Sequence, residues 1–178
     1  GRDLAIAVAE FHGFGFGEPV ALSAAHRQGL DDLMEQVFAG QAPANPELDE
    51  APDRAIRVCV VGRPNVGKST LINRLLGEER LITFDEPGTT RDRHFAMCEW
   101  QGRSFWLVDT GGLVEDSVLP MNVAIRRQVE LAIAEADLML LTVDAKAGLH
   151  PSDARLVDMI RAAKKPWIVV ANKVDDPK

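Results

Sequence analysis

Hydrophobic and polar positions along this chain fall into segments whose period switches between that of a helix and that of a strand. Near the amino end Leu4 to Phe11 has helical spacing, and Pro19 to Ser23 reads as a short strand. Gly29 to Phe38 reads as a helix, with Leu30, Leu33, Met34 and Val37 at i, i+3, i+4 and i+7 on one face. From Ile56 onward strand-like runs alternate with helical patterns. Ile56 to Val61 predicts a strand and Lys68 to Leu76 a helix. His94 to Trp100 and Arg103 to Val108, joined at Gln101-Gly102, predict an antiparallel hairpin. Ile125, Val129, Ile133 and Ala136 mark the inner face of a long helix, and Leu138 to Val143 a buried strand. Leu156, Val157 and Ile160 face inward from the next helix, with Ser152 as its expected cap. Trp167 to Ala171 is the last strand. Six strands and five helices in this order predict an α/β fold, a mostly parallel six-stranded sheet with helices on both faces.

One segment breaks the pattern. Gln41 to Asp53 holds three prolines, four acids, no basic residue and one large aliphatic side chain, and reads as an exposed linker. It divides residues 1–40, a helix, strand and helix, from residues 54–178. A length of 178 residues suits one domain, or one domain and a stub, and excludes two complete enzyme domains. With 46% hydrophobic and 26% charged residues, wholesale disorder is excluded as well. Twenty Lys and Arg against 27 Asp and Glu give a net charge of −7, which argues against binding nucleic acid by bulk charge. The longest apolar runs are far shorter than a membrane span, and the amino end has no signal-peptide pattern. Cys59 and Cys98 lack metal-ligand spacing and are expected to be buried reduced thiols of a cytoplasmic protein.

The chemistry begins after the first strand of the larger segment. Gly62-Arg63-Pro64-Asn65-Val66-Gly67-Lys68-Ser69 fits G-x-x-x-x-G-K-[ST] between a predicted strand and a predicted helix, the context of a P-loop. Its glycines let the backbone fold into a nest of N–H donors around a β-phosphate, and the helix amino terminus adds its positive dipole end. Lys68 supplies a charge to the β- and γ-phosphates, and the Ser69 hydroxyl is a hard oxygen ligand for Mg2+. The loop expected to touch nucleotide comprises Gly62, Asn65, Val66, Gly67, Lys68, Ser69 and Thr70.

Asp109-Thr110-Gly111-Gly112 stands at the carboxyl end of a strand, where α/β sheets place their ligands. Asp109 there can hold a Mg2+ water, and the Gly112 N–H can touch a γ-phosphate and move when it leaves. Asn172-Lys173-Val174-Asp175 follows the last strand. A carboxylate such as Asp175 can accept from both N1–H and the N2 amine of guanine, a donor pair adenine lacks. Asn172 can tie the base loop together, and the Lys173 stem can cover the ring face.

With these residues the chain resembles a translation-factor-type P-loop GTPase with a Ras-like G domain. Within that class it is similar to the tandem-domain bacterial ribosome-assembly GTPases of the Der (EngA) type. The words G-R-P-N-V-G-K-S-T-L-I-N-R-L, P-G-T-T-R-D, D-T-G-G, V-D-A-K-A-G-L and A-N-K-V-D carry that resemblance over residues 56–178. It implies a guanine nucleotide, GTP or GDP, as ligand, Mg2+ as cofactor and the large ribosomal subunit as partner. It also implies that Thr90 is the switch threonine whose hydroxyl binds Mg2+ and whose N–H meets the γ-phosphate, although Thr89 is adjacent.

In such GTPases a further word, S-A-[KLA], follows the last motif by some 30 residues and places a backbone N–H on guanine O6. Here Ser23-Ala24-Ala25 lies near the amino end, ahead of the P-loop. Two arrangements account for that order. In the first, the chain is a circularly permuted or hybrid single G domain whose final strand and helix come from residues 1–40, so that Ala24 completes the guanine site. In the second, it is the tail of one G domain, a linker and a second G domain lacking its tail. A 13-residue linker reaches at most ~40–45 Å, enough to join the ends, and an unpaired sheet edge disfavours the second. These considerations favour the first. A dimer exchanging the amino-terminal forty residues is a variant of either, beside a monomer.

Hydrolysis needs a water in line with the γ-phosphorus, and Ras-type enzymes orient it with a glutamine after D-x-x-G. Leu113 holds that position here and cannot hydrogen-bond, so slow intrinsic turnover is expected. The resemblance implies that Asn65 helps hold a K+ beside the phosphates. The rival reading is a guanine-nucleotide-binding or interaction module that hardly turns over. The four histidines, His12, His26, His94 and His150, read as surface or turn residues, and Arg91 and Arg93 as parts of a solvated loop.

Overall fold

The computed structural model describes residues 4–39, 55–77, 94–109 and 120–175. Within them a sheet is built from β1 (Val20–Ala21), β2 (Ile56–Val61), β3 (His94–Trp100), β4 (Arg103–Asp109), β5 (Leu138–Asp144) and β6 (Trp167–Asn172). Its order is β1-β6-β5-β2-β4-β3, with every neighbouring pair parallel except β3 and β4. All seven residues of β5 are buried, as a strand covered on both faces requires. The β3–β4 hairpin turns at Gln101 (φ 49°) and Gly102 (φ 78°), and two consecutive positive φ values are what a two-residue turn matched to the strand twist needs.

Five helices accompany the sheet among the described residues: α1 (Leu4–Ala9), α2 (Leu30–Phe38), α3 (Lys68–Leu76), α4 (Met121–Glu135) and α5 (Pro151–Ala163). Alternation along the strands sorts the core into two layers. Val58, Val60 and Leu140 meet α2 and α3 through Leu33, Met34, Val37, Leu71 and Leu75. Cys59, Val61, Met139 and Leu141 meet α4 and α5 through Val129, Ala132, Leu156, Val157 and Ile160. The first forty residues contribute to both layers, α2 to one and Phe11 and Phe14 to the other. They pack as part of the domain.

The expected strand near the amino end pairs beside the last strand of the same chain. Val20 lies opposite Val170 and Ala21 opposite Ala171. The ladder continues as Leu22 N–H to Ala171 O (2.9 Å) and Val174 N–H to Leu22 O (3.0 Å). The strand proper is shorter than Pro19 to Ser23 because Pro19 has no N–H to give and Ser23 turns back onto Gln28.

Other boundaries also move. The first helix stops at Ala9 and tightens into a 3-10 turn, Glu10–Phe14, closed by Gly15 at φ 76°. The Gly29 expected to open α2 is instead its left-handed N-cap, φ 77°, where a Cβ would stand 2.5 Å from Ala21 O. The cap of α5 is His150, not Ser152. Pro151 fits the first helical position, so the helix starts two residues earlier. His150 Nδ1 accepts the Ser152 N–H and the Asp153 carboxylate accepts the His150 N–H, both at 3.1 Å. Strands β4 and β6 each run one residue past their apolar runs, to Asp109 and Asn172, because backbone pairing ends them.

Cys59 and Cys98 are buried thiols, and burial pushes the Cys98 thiol up to about 12. No helix among the described residues is long and apolar enough to cross a membrane. The linker at 41–53 lies outside the described residues, as do Thr89, Thr90, Arg91, Arg93, Thr110, Gly111, Gly112 and Leu113 and the side chains of Asp109 and Ile125.

Candidate functional site

Parallel pairing brings the carboxyl ends of β2, β5, β6 and β1 to one edge of the sheet, and four loops meet there. The loop after β2 is shaped by residues that accept a left-handed backbone. Asn65 sits at φ 65° and Gly67, the N-cap of α3, at φ 93°. A Cβ on Gly62 would meet Thr142 O at 2.6 Å, and one on Gly67 would meet Asn172 Nδ2 at 2.3 Å. No side chain fits at either place. Val66 is wholly buried beneath the loop. The Lys68 ammonium donates to Gly62 O and Arg63 O, both 2.8 Å, so a positive charge rests over the concave loop. Ser69 and Thr70 occupy the exposed first turn of α3.

Asn172 is the junction of three of these loops. Its side chain is buried, its Nδ2 donates to Val66 O (2.9 Å), and its Oδ1 accepts the Ala24 N–H (3.0 Å). One amide thus ties the loop after β1 to the loop after β2 from the end of β6. Lys173, at φ 66°, donates its ammonium to Asn65 O and to Asp144 Oδ2, each 2.6 Å. Burial would raise the Asp144 carboxyl, but the Lys173 ammonium and the N–H groups of Ala147 and Lys146 outweigh it and hold it below the usual carboxylate range.

Asp175 is committed on both oxygens. Oδ1 accepts the Ser23 hydroxyl at 2.6 Å, and Oδ2 accepts the Lys146 ammonium. His26 Nε2 stands 4.0 Å away. The Lys146 and Ser23 hydrogen bonds hold the Asp175 carboxyl low, so it is an acceptor at neutral pH. Arg74 of α3 closes the group from outside, donating to Ala24 O (3.0 Å) and Ala25 O (2.9 Å).

The fold therefore brings together Ser23, Ala24 and Ala25, the loop from Gly62 to Thr70, and Asn172, Lys173 and Asp175. The Asp109 backbone is at the end of β4, directly opposite Val60 and so beside the phosphate-loop strand. The Ala24 N–H donates to Asn172 Oδ1, whereas the Ala25 N–H has no partner among the described residues. Sequence reading also passed over four residues that hold the site: Asp144, Lys146, Arg74 and the Asp153 that stands 3.4 Å from Arg63. Asp144 and Lys146 carried a usable signal, since they follow a buried strand in the same topological position as the other site loops.

This donor set suits a polyanion ending in a flat base. Backbone N–H groups, the Lys68 ammonium and the amino terminus of α3 favour phosphates. Among the described residues no group of three His, Cys, Asp or Glu could hold a metal alone. A divalent ion here would take the Ser69 hydroxyl and lean on the ligand's own phosphate oxygens, which fits Mg2+. The Asn65 side chain is exposed and takes no partner among the described residues, so its oxygen is open to a cation.

Residues 57–173 match the family model described as 50S ribosome-binding GTPase. A GTPase Der of Gemmatimonas aurantiaca is 71% identical over 120 residues, which are 67% of this chain and 28% of that protein. A GTPase Der of Dechloromonas aromatica is 43% identical over 180 residues, 98% of this chain and 40% of that protein. The chain thus spans two fifths or less of the length of these relatives. Among solved structures, the cytosolic domain of the T. maritima FeoB iron transporter in a GDP form matches 68% of this chain and 46% of its own. It does so at 23% identity and a TM-score of 0.50, a likeness of fold.

Proposed function

Because the chain belongs to the family of 50S ribosome-binding GTPases, we propose that the site binds a guanine nucleotide with Mg2+ and hydrolyses GTP to GDP and phosphate. The observation that carries this reading is the convergence on Asn172 of the phosphate loop and the Ser23-Ala24-Ala25 loop, with Asp175 alongside.

Each residue then has a task. The backbone from Gly62 to Gly67 wraps the phosphates, and the Lys68 ammonium leaves the Gly62 and Arg63 carbonyls for the β- and γ-oxygens. Ser69 supplies the protein hydroxyl for Mg2+, with Asp109 and Thr90 as the further ligands we assign. Mg2+, when bound, neutralises charge that builds on the phosphate oxygens. The Asp175 carboxylate reads N1–H and N2 of guanine, Lys173 covers the ring, and the Ala25 N–H, in place of Ala24, offers the donor to O6. The Gly112 N–H meets the γ-phosphate. Leu113 cannot orient a water, so turnover is slow unless a K+ at the Asn65 oxygen supplies the missing positive charge. The whole protein's partner, by its family, is the large ribosomal subunit.

The order of the words receives two kinds of support. The alignment with the D. aromatica relative runs over 98% of the chain in the same order, which supports a stretch across the junction of a tandem protein. The pairing of β1 with β6 within one chain supports a sheet closed in the permuted sense. We propose both together: a junction stretch whose amino-terminal tail closes the sheet of the domain that follows it.

Phosphate release under multiple turnover tests the activity. GTP and not ATP should be consumed, severalfold faster in KCl than in NaCl, and Asn65→Ala should flatten the difference. Release absent in both salts, with guanine nucleotide still bound, would make the chain a binding module. Asp175→Asn should move preference from guanine toward xanthine nucleotides; an unchanged preference removes Asp175 from the base site.

A further inference from the structure

The V-D-A-K-A-G-L word at the end of β5 has no task in the reading above, yet two of its residues engage the base loop. Asp144 and Lys146 are two apart, as are Lys173 and Asp175, and the four pair reciprocally: Lys173 with Asp144, Lys146 with Asp175. The arrangement fixes the Lys146 backbone in place. Asp144 Oδ1 accepts the backbone N–H of Lys146 and that of Ala147, both at 3.0 Å, so the carboxylate that anchors Lys173 also folds the turn that presents Lys146. Asp144 is nearly buried and Lys146 is half-exposed. The rigid half of the device is inside, and the movable half faces the place where a base would lie.

We propose that Lys146 sets base discrimination at this site, its ammonium holding Asp175 Oδ2 until the guanine N2 amine displaces it. This rests on the assignment of Asp175 to guanine. Ser23 shares only Oδ1, so Oδ2 is the oxygen in dispute. A base that offers N1–H alone, hypoxanthine, leaves the ammonium where it is and sacrifices little. Guanine offers two donors but must move a cation to use both. Lys146 therefore narrows the gap between the two bases. A neutral residue of the same length leaves Oδ2 bare, so that hypoxanthine strands an acceptor and guanine does not.

The test measures affinity for GDP and IDP by fluorescence competition on the intact chain, for the unsubstituted protein, Lys146→Met and Asp175→Asn. Lys146→Met should widen the GDP:IDP ratio about two- to fivefold, the size of an exposed ion pair. Its melting temperature should hardly move, and a role confined to stability would move only that temperature. A GDP:IDP ratio unchanged in Lys146→Met, beside a collapsed one in Asp175→Asn, overturns the role of Lys146 and keeps the base assignment. A ratio unchanged in Asp175→Asn overturns the assignment itself.

Discussion

Gly67→Ala is expected to abolish guanine-nucleotide binding, lowering affinity by at least about 100-fold. Two costs combine at this position. A Cβ at φ 93° lies in the left-handed region that L-residues avoid, at about 1–2 kcal/mol. The same Cβ would stand 2.3 Å from Asn172 Nδ2, so the amide must move and release the Val66 carbonyl that it holds. A released buried carbonyl costs about 1–3 kcal/mol more. That carbonyl belongs to the phosphate loop, so the loop loses the shape that aims its N–H groups. Gly102 separates the two costs, since it too has positive φ, 78°, but a Cβ there would meet nothing within 4 Å. Gly102→Ala should lose about 1 kcal/mol of stability and bind nucleotide normally. Titration with a fluorescent GDP and thermal melts of both variants decide it. Normal binding by Gly67→Ala would show that the Gly67–Asn172 approach does not shape the loop.

Why the site was largely legible in the sequence, and where it was not, follows from what each kind of residue answers to. The phosphate loop is local: Gly62, Asn65 and Gly67 are required by backbone angles and close approaches that a short word encodes. The buried strands were equally plain, because β2, β5 and β6 are covered on both faces over most of their length and read as nearly continuous apolar runs. Element ends were less legible, since Asp109 and Asn172 belong to their strands through partners far along the chain. Likewise Ser152 looked like a cap, and only the fit of Pro151 to the first helical position moved that duty to His150. Least legible were the long-range bonds of the charged side chains. Nothing within V-D-A-K-A-G says that its Lys will reach a carboxylate 29 positions later, or that Arg74 will clasp a loop 50 positions earlier. Such contacts exist only once the sheet order has placed the loops side by side.

The placement of Ser23-Ala24-Ala25 makes Asn172→Ala the second large effect, and its consequences reach beyond the nucleotide. Removing this amide leaves two groups without partners, the Val66 carbonyl and the Ala24 N–H, in a part of the fold where water does not replace them. Two such losses predict about 2–6 kcal/mol of destabilisation. Strand β1 is two residues long and holds the sheet edge, so its docking leans on the bonds that follow it. Hydrogen exchange at Leu22 and Ala24 should therefore quicken much more than exchange at Met139 or Leu141 in the centre of the sheet. Arg74→Ala supplies the comparison. It removes the outer clasp on Ala24 and Ala25 but leaves carbonyls that water can reach at the rim, and should cost about 1 kcal/mol. Both variants loosen the same loop, but only Asn172→Ala also releases the phosphate loop, and it alone should lose guanine nucleotide by about 100-fold or more. If Arg74→Ala lost as much, the exposed clasp rather than the buried amide would be what joins the amino-terminal segment to the site.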